Sequence, residues 1–198
     1  MRCSKSKKPG WVFLTLLWGM SLLFFSTSPT DAQEPSEDLE AQIPELINQL
    51  KGKDESLRVE ASNKLATIGK PAVPALIGVL TEKEAAPVAI FILGRIGAGA
   101  KEAIPTLSKT LKQHEDKNVR ARAAEALGKI GPETFLLIVP GLKDKEAVVR
   151  LRAVQALGRI GSPAEPVLSS VVDCLQDADE GVRTEAQKAV ERIGKAQQ

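Results

Sequence analysis

Residues 119–131 read VRARAAEALGKIG and residues 149–161 read VRLRAVQALGRIG. Three further segments align with them without gaps: LRVEASNKLATIG from Leu57, AAPVAIFILGRIG from Ala85 and VRTEAQKAVERIG from Val182. Numbered from its first residue, each segment carries apolar side chains at positions 1, 5, 9 and 12. That is the i, i+4, i+8, i+11 stripe of an amphipathic helix. Each closes on Gly, the residue suited to the left-handed backbone that ends a helix. The closing glycines, Gly69, Gly97, Gly131, Gly161 and Gly194, are spaced 28, 34, 30 and 33 residues apart. A repeat of that period marks a solenoid, in which no unit buries its apolar face alone.

Position 5 is always alanine: Ala61, Ala89, Ala123, Ala153 and Ala186. A small side chain there lets a neighbouring helix approach closely, so Ala153→Leu is expected to destabilise more than Ala156→Leu. A second helix precedes each segment. Three of these begin Ile43-Pro44-Glu45-Leu46, Val73-Pro74-Ala75-Leu76 and Ile104-Pro105-Thr106-Leu107. Proline is tolerated in a first turn, where its missing N–H has no intrahelical partner to lose. Pro140 falls near the end of its helix and is expected to kink it. The fifth unit uses Pro166 and is expected to run to Leu175. Gly97-Ala98-Gly99-Ala100 reads either as a soft joint or as an ordinary turn between units.

The pattern V-R-x-x-A-x-x-x-L-x-x-I-G, with an acid four residues before the Arg, resembles the HEAT-like repeats of the phycobilisome-lyase type. The acid–Arg pairs are Asp54/Arg58, Asp116/Arg120, Glu146/Arg150 and Asp179/Arg183; Glu82/Ala86 and Pro87 break the pattern. The resemblance covers about residues 39–194. It implies an all-α, right-handed solenoid of about five helix pairs, at about 39–69, 70–97, 98–131, 132–161 and 162–194, with the second helices on a concave side. The acid–Arg pairs fall at loop-to-helix corners, where they are expected to cap helices and link successive units.

The first 32 residues differ from the rest. MRCSKSKKPG is basic, WVFLTLLWGMSLLFF is largely apolar and STSPTDA is small and polar. This is the layout of a secretory signal peptide, with Thr30 and Ala32 at −3 and −1 of a cut before Gln33. The alternative is an uncleaved anchor, although a membrane span usually takes about 20 residues. Residues 33–38 read as a polar tether before an array over 39–197. Without the leader's four basic residues and one acid, the chain's 27 and 25 become 23 and 24. Its basic character therefore belongs to the leader, and the remainder has no excess charge to hold nucleic acid.

Composition also narrows the chemistry. His114 is the only histidine. Deoxyhypusine hydroxylase, an enzyme built of HEAT repeats, holds iron with several His-Glu pairs; one pair, His114-Glu115, cannot assemble such a site. No P-loop, G-x-S-x-G, H-E-x-x-H or C-x-x-C motif occurs. No catalytic, cofactor-binding or metal-ligating set is assigned. Cys174, the one cysteine beyond the leader, reads as a small buried apolar residue.

One constellation remains. Positions 4 and 11 lie opposite the apolar stripe, and stacking would bring Arg95, Arg122, Lys129, Arg152, Arg159 and Arg192 onto one concave strip. The competing reading is a solvated face: cations suit a helix's last turn, and Glu125 has the spacing to pair with Arg122 and Lys129. The sequence thus points to an exported, monomeric, non-catalytic scaffold that binds another protein, through an acidic segment, with no membrane span after cleavage. The alternative implied by the resemblance is a lyase-type accessory factor that holds chromophore-bearing proteins.

Overall fold

The computed structural model describes residues 39–195, so the expected signal peptide and tether lie outside the described residues. The described residues contain helices and no strand. Helices alternate between a first and a second member of a pair: α1 (Ile43–Lys51) and α2 (Glu55–Ile68), α3 (Val73–Gly78) and α4 (Ala86–Ile96), α5 (Ile104–Gln113) and α6 (Lys117–Ile130), α7 (Phe135–Ile138) and α8 (Ala147–Ile160), α9 (Leu168–Asp173) and α10 (Glu180–Gly194). Each second helix packs beside the second helix of the next pair, which makes the array an α-solenoid of helix pairs.

The apolar stripe becomes the core. Leu65, Leu93, Leu127 and Leu157, all at position 9, have no exposed surface, nor do the five position-5 alanines. Each buried leucine contributes roughly 1.5–3 kcal/mol relative to exposure. Leu46, Leu76, Leu107 and Ile138 from the first helices close the other side of the same core.

Proline in the first turn holds for α1, α3 and α5. The later first helices are shorter than the stripe implies. Pro140 sits in a 3-10 turn, Val139–Lys143, that replaces the end of α7. Pro166 lies within a 3-10 segment, Ser162–Val167, and α9 gives way to another at Cys174–Gln176. Proline supplies neither the amide nor the room that a continuous helix needs there. The Gly97 joint is also a 3-10 segment, Gly97–Ala103, with Ala100 and Ala103 buried. Gly69, Gly97 and Gly161 have φ of 74°, 63° and 71°. Their ψ values near −130° to −139° lie in the mirror of the extended region, which side chains other than glycine rarely reach.

Position 5 is tight within a pair: a Cβ on Gly141, in the turn after α7, would lie 2.9 Å from the Ala153 Cβ. The expected tolerance at Ala156 is not found. Ala156 is buried, and a Cβ on Gly128 would lie 2.6 Å from the Ala156 Cβ. The junctions α4/α6 and α8/α10 repeat this arrangement, with Gly94 against Ala126 and Gly158 against Ala189. Glycine at position 10 and alanine at position 8 of the next unit let neighbouring second helices close up. Alanine is therefore needed at both positions, for different neighbours.

Candidate functional site

The acid–Arg corners hold the second helices in register. Three of the acids cap their helices: Asp54 accepts from the Ser56 and Leu57 amides, Asp116 from the Asn118 amide and Asp179 from the Val182 amide. Glu146 makes no such cap and instead meets the Lys117 ammonium at 3.5 Å. The arginines do not pair with the acid four residues back. Arg120 donates through Nε and Nη2 to Asp144 of the following unit, at 2.7 and 2.9 Å. Arg150 does the same to Asp177, at 2.7 and 2.8 Å. The Nη1 of each also donates to two carbonyls of its own corner. Such two-point pairing fixes orientation as well as distance.

Burial opposes ionisation of Asp144, yet the Arg120 fork and the Glu146 amide hold its carboxyl below the usual range. For Asp177 the Arg150 hydrogen bond is the larger influence, and its carboxyl is also held low. His114 stands at the place of Asp144 and Asp177, where its Nδ1 accepts from the Asp116 amide at 3.1 Å. The outer corners lack a rung. Arg58 reaches Glu55, and Arg183 donates to the carbonyls of Asp177 and Ala178 and makes no hydrogen bond to a carboxylate among the described residues. Asp144 and Asp177 were missed in the sequence. The signal available was the recurring Asp-x-acid at 144–146 and 177–179.

The cationic candidates lie on the second helices. Arg95, Lys129 and Arg159 line a groove of about 610 Å³ together with Gly94, Gly97, Gly128, Gly131, Pro132, Ile160 and Pro163. Gly94 and Gly128, two of the position-10 glycines that bring the helices together, are part of its lining. Arg95 donates from Nη1 to Asn63 Oδ1 on α2 at 2.8 Å. Lys129 pairs with Glu125 at 2.7 Å. Arg152 donates to Gln155 Oε1 at 3.0 Å and stands 4.0 Å from Glu125, one helix away. Arg122 and Arg159 are exposed and make no hydrogen bond or ion pair among the described residues.

Burial opposes ionisation of Glu125, but the Lys129 hydrogen bond and the charges of Lys129, Arg152 and Arg159 together keep its carboxyl below the usual range. Five cations therefore stand on this face of α4, α6 and α8 beside a single carboxylate, which interacts with three of them. Arg192 is set apart: it meets Glu185 at 3.9 Å, and Glu185 also pairs with Lys188. At the other end Lys64 pairs with Glu60. The excess charge belongs to the three middle pairs. Phe91, 42% exposed, lies among these cations, and the sequence reading passed over it. The Arg95 guanidinium and the Lys129 ammonium each stand 5.9 Å from its ring centroid.

A family model for HEAT repeats matches residues 82–138 and 135–198. The chain belongs to the HEAT-repeat family. An uncharacterized protein of Bacillus subtilis (strain 168), SkfG, is 31% identical over 101 residues; the match spans 50% of this chain and 58% of that protein. In structure, the HEAT array is similar to the complex of CpcE and CpcF of phycocyanin lyase from Nostoc sp. PCC7120. The TM-score is 0.67 at 22% identity, over 75% of this chain and 98% of that one. It is also similar to a designed armadillo repeat protein in complex with the peptide (KR)4, with a TM-score of 0.56 at 20% identity, over 85% and 95%. Among the described residues of the HEAT array, no group of three or more His, Cys, Asp or Glu could hold a metal ion. No described helix is long and apolar enough to cross a membrane. Cys174 is buried, and burial pushes its thiol up.

Proposed function

We propose that this HEAT array is an exported, monomeric, non-catalytic interaction module whose second-helix face holds an acidic segment of another protein. The observation that carries this reading is the charge on the second helices of the middle three pairs: five cations beside one carboxylate, with Arg122 and Arg159 making no hydrogen bond or ion pair among the described residues, and a groove between the helix ends. Arginine forks suit carboxylates because two parallel N–H groups meet two oxygens. The designed armadillo protein named above takes a basic peptide on a similar fold; the cationic face of this chain suits the opposite charge.

The test is direct binding of a fluorescent ten-residue glutamate-rich peptide to the chain lacking residues 1–32. The double variant Arg152→Glu/Arg159→Glu should lose binding while its melting midpoint stays within the shift expected for about 0.5 kcal/mol, since both side chains are exposed. Binding should also weaken with salt, because exposed charges are screened over about 8 Å at physiological ionic strength. A double variant that binds as wild type does would reduce the strip to a solvated face. Export is tested separately by mass spectrometry of the fractionated protein, which should begin at Gln33; an intact N-terminal leader would favour an anchor.

The likeness to CpcE and CpcF supports a second reading, a factor that holds chromophore-bearing proteins. Under that reading, mixing with a bilin-bearing protein should change its visible absorbance, whereas the scaffold reading expects no change.

A further inference from the structure

Five large apolar side chains are exposed among the described residues: Leu57, Val59, Phe91, Leu136 and Val172. Leu57 and Val59 lie at the start of α2, and Leu136 and Val172 belong to the first helices α7 and α9. Phe91 alone stands on the cationic face. It occupies position 7 of its unit, where the others carry Asn63, Glu125, Gln155 and Lys188, so the fold asks for a polar residue there. Its two cationic neighbours are tethered, Arg95 by Asn63 and Lys129 by Glu125. The ring is flanked by fixed charges and keeps 42% of its surface in water.

Resting on the reading of the strip given above, we infer that Phe91 is a specificity anchor. The acidic segment held there carries an aromatic side chain that packs on the exposed part of the Phe91 ring while neighbouring carboxylates meet Arg95 and Arg122, which lines the same pocket as the ring. Three features of the site fit this occupant. A partly exposed ring gains by packing against an apolar partner and prefers offset or edge contact with another ring. Arg95, held only by the neutral Asn63, and Arg122 supply the complement to carboxylates on either side of that aromatic side chain. Because Arg95 is already restrained by Asn63, less conformational freedom is lost when the segment docks. A purely acidic segment would leave the ring uncovered, and a purely apolar one would leave the charges unanswered.

Two synthetic peptides decide the point: a ten-residue glutamate-rich peptide with a central Phe, and the same peptide with a central Ser, each titrated against the chain lacking residues 1–32. The Phe peptide should bind about tenfold more tightly. Phe91→Ser should abolish that difference between the two peptides, with the variant's circular dichroism and melting midpoint close to wild type. Phe91→Tyr should keep the preference. If wild type binds both peptides equally and charge reversal at Arg152 and Arg159 still removes binding, the anchor is refuted and the acidic-segment reading stands. A preference that survives Phe91→Ser also refutes it, by placing the aromatic contact elsewhere. If neither peptide binds, the reading of the strip falls and the anchor with it.

Discussion

Replacing four glycines one at a time by alanine tests how the second helices are packed. A Cβ on Gly128 would meet Ala156 at 2.6 Å from Cβ, 2.9 Å from Cα and 3.1 Å from the carbonyl oxygen. Carbon atoms prefer about 3.5–4.0 Å, so α6 and α8 must separate by roughly 1 Å. Two of the three obstructing atoms are backbone, so no side-chain rotation relieves the overlap. Alanine gains about 1 kcal/mol over glycine in a helix interior, but overpacking of this kind costs about 1–3 kcal/mol. Gly128→Ala should therefore lose about 1–2 kcal/mol. At Gly158 the nearest atoms stand at 3.0 and 3.1 Å, and at Gly94 at 3.3 and 3.4 Å. These two variants should lose about 0.5–1 kcal/mol and about nothing, by the same balance. Gly78 has no atom within 4 Å of the added carbon, so its alanine variant should gain up to about 1 kcal/mol. Urea denaturation followed by circular dichroism gives the midpoints. The expected order, most stable first, is Gly78→Ala, Gly94→Ala, Gly158→Ala, Gly128→Ala. A Gly128→Ala protein as stable as the Gly78→Ala protein would refute close packing of the second helices.

Two further predictions concern the rungs. Arg150→Ala leaves the largely buried Asp177 carboxylate without its fork and should cost about 3 kcal/mol, whereas Arg183→Ala loses hydrogen bonds to two carbonyls and a lesser charge interaction with Asp177 and should cost about 1 kcal/mol; equal losses in thermal melts would contradict the assignment. The carboxyls of Asp144 and Asp177 are both held low in the fold, so the stability they add is full above the unfolded value, about pH 4, and is lost as pH falls through the lower folded values. The melting midpoint of wild type should drop on acidification below that point, and a double Asp144→Asn/Asp177→Asn variant should show a flatter decline.

The second helices were legible because a stripe at helical spacing is a local property: Ala123, Leu127 and Ile130 declare their face within four turns of chain. The partner of Arg150 was not. It lies 27 residues away, and the partner of Arg120 lies 24 away, so no fixed offset in the sequence connects them; the stacking register does. The same holds for Ala156. Its small size was visible, but the glycine it meets belongs to another unit, and only the packing shows that position 8 answers position 10. The truncated first helices followed from Pro140 and Pro166, whose positions were plain although the extent of the 3-10 segments was not. The cations of the strip were found from their positions on the helix, since Arg95, Lys129 and Arg159 recur at position 11. Phe91 was passed over because an isolated aromatic residue has no periodicity to draw attention to it.

The junctions between α6, α8 and α10 are each fastened twice, by an Arg–Asp rung near the start of the second helices and by a glycine–alanine contact near their ends. The second fastening adjoins the charges: Gly128 precedes Lys129, and Gly158 precedes Arg159. The distance from one cation to the next is thus set by residues that carry no charge. Exchanging glycine and alanine at those contacts would coarsen or tighten the ruling of the charge row while every ionic group stayed in place. On the proposed reading of the strip, a chain of this design could match acidic segments of different repeat length without altering the cations proposed to meet them, and its selectivity could drift through substitutions that look purely structural.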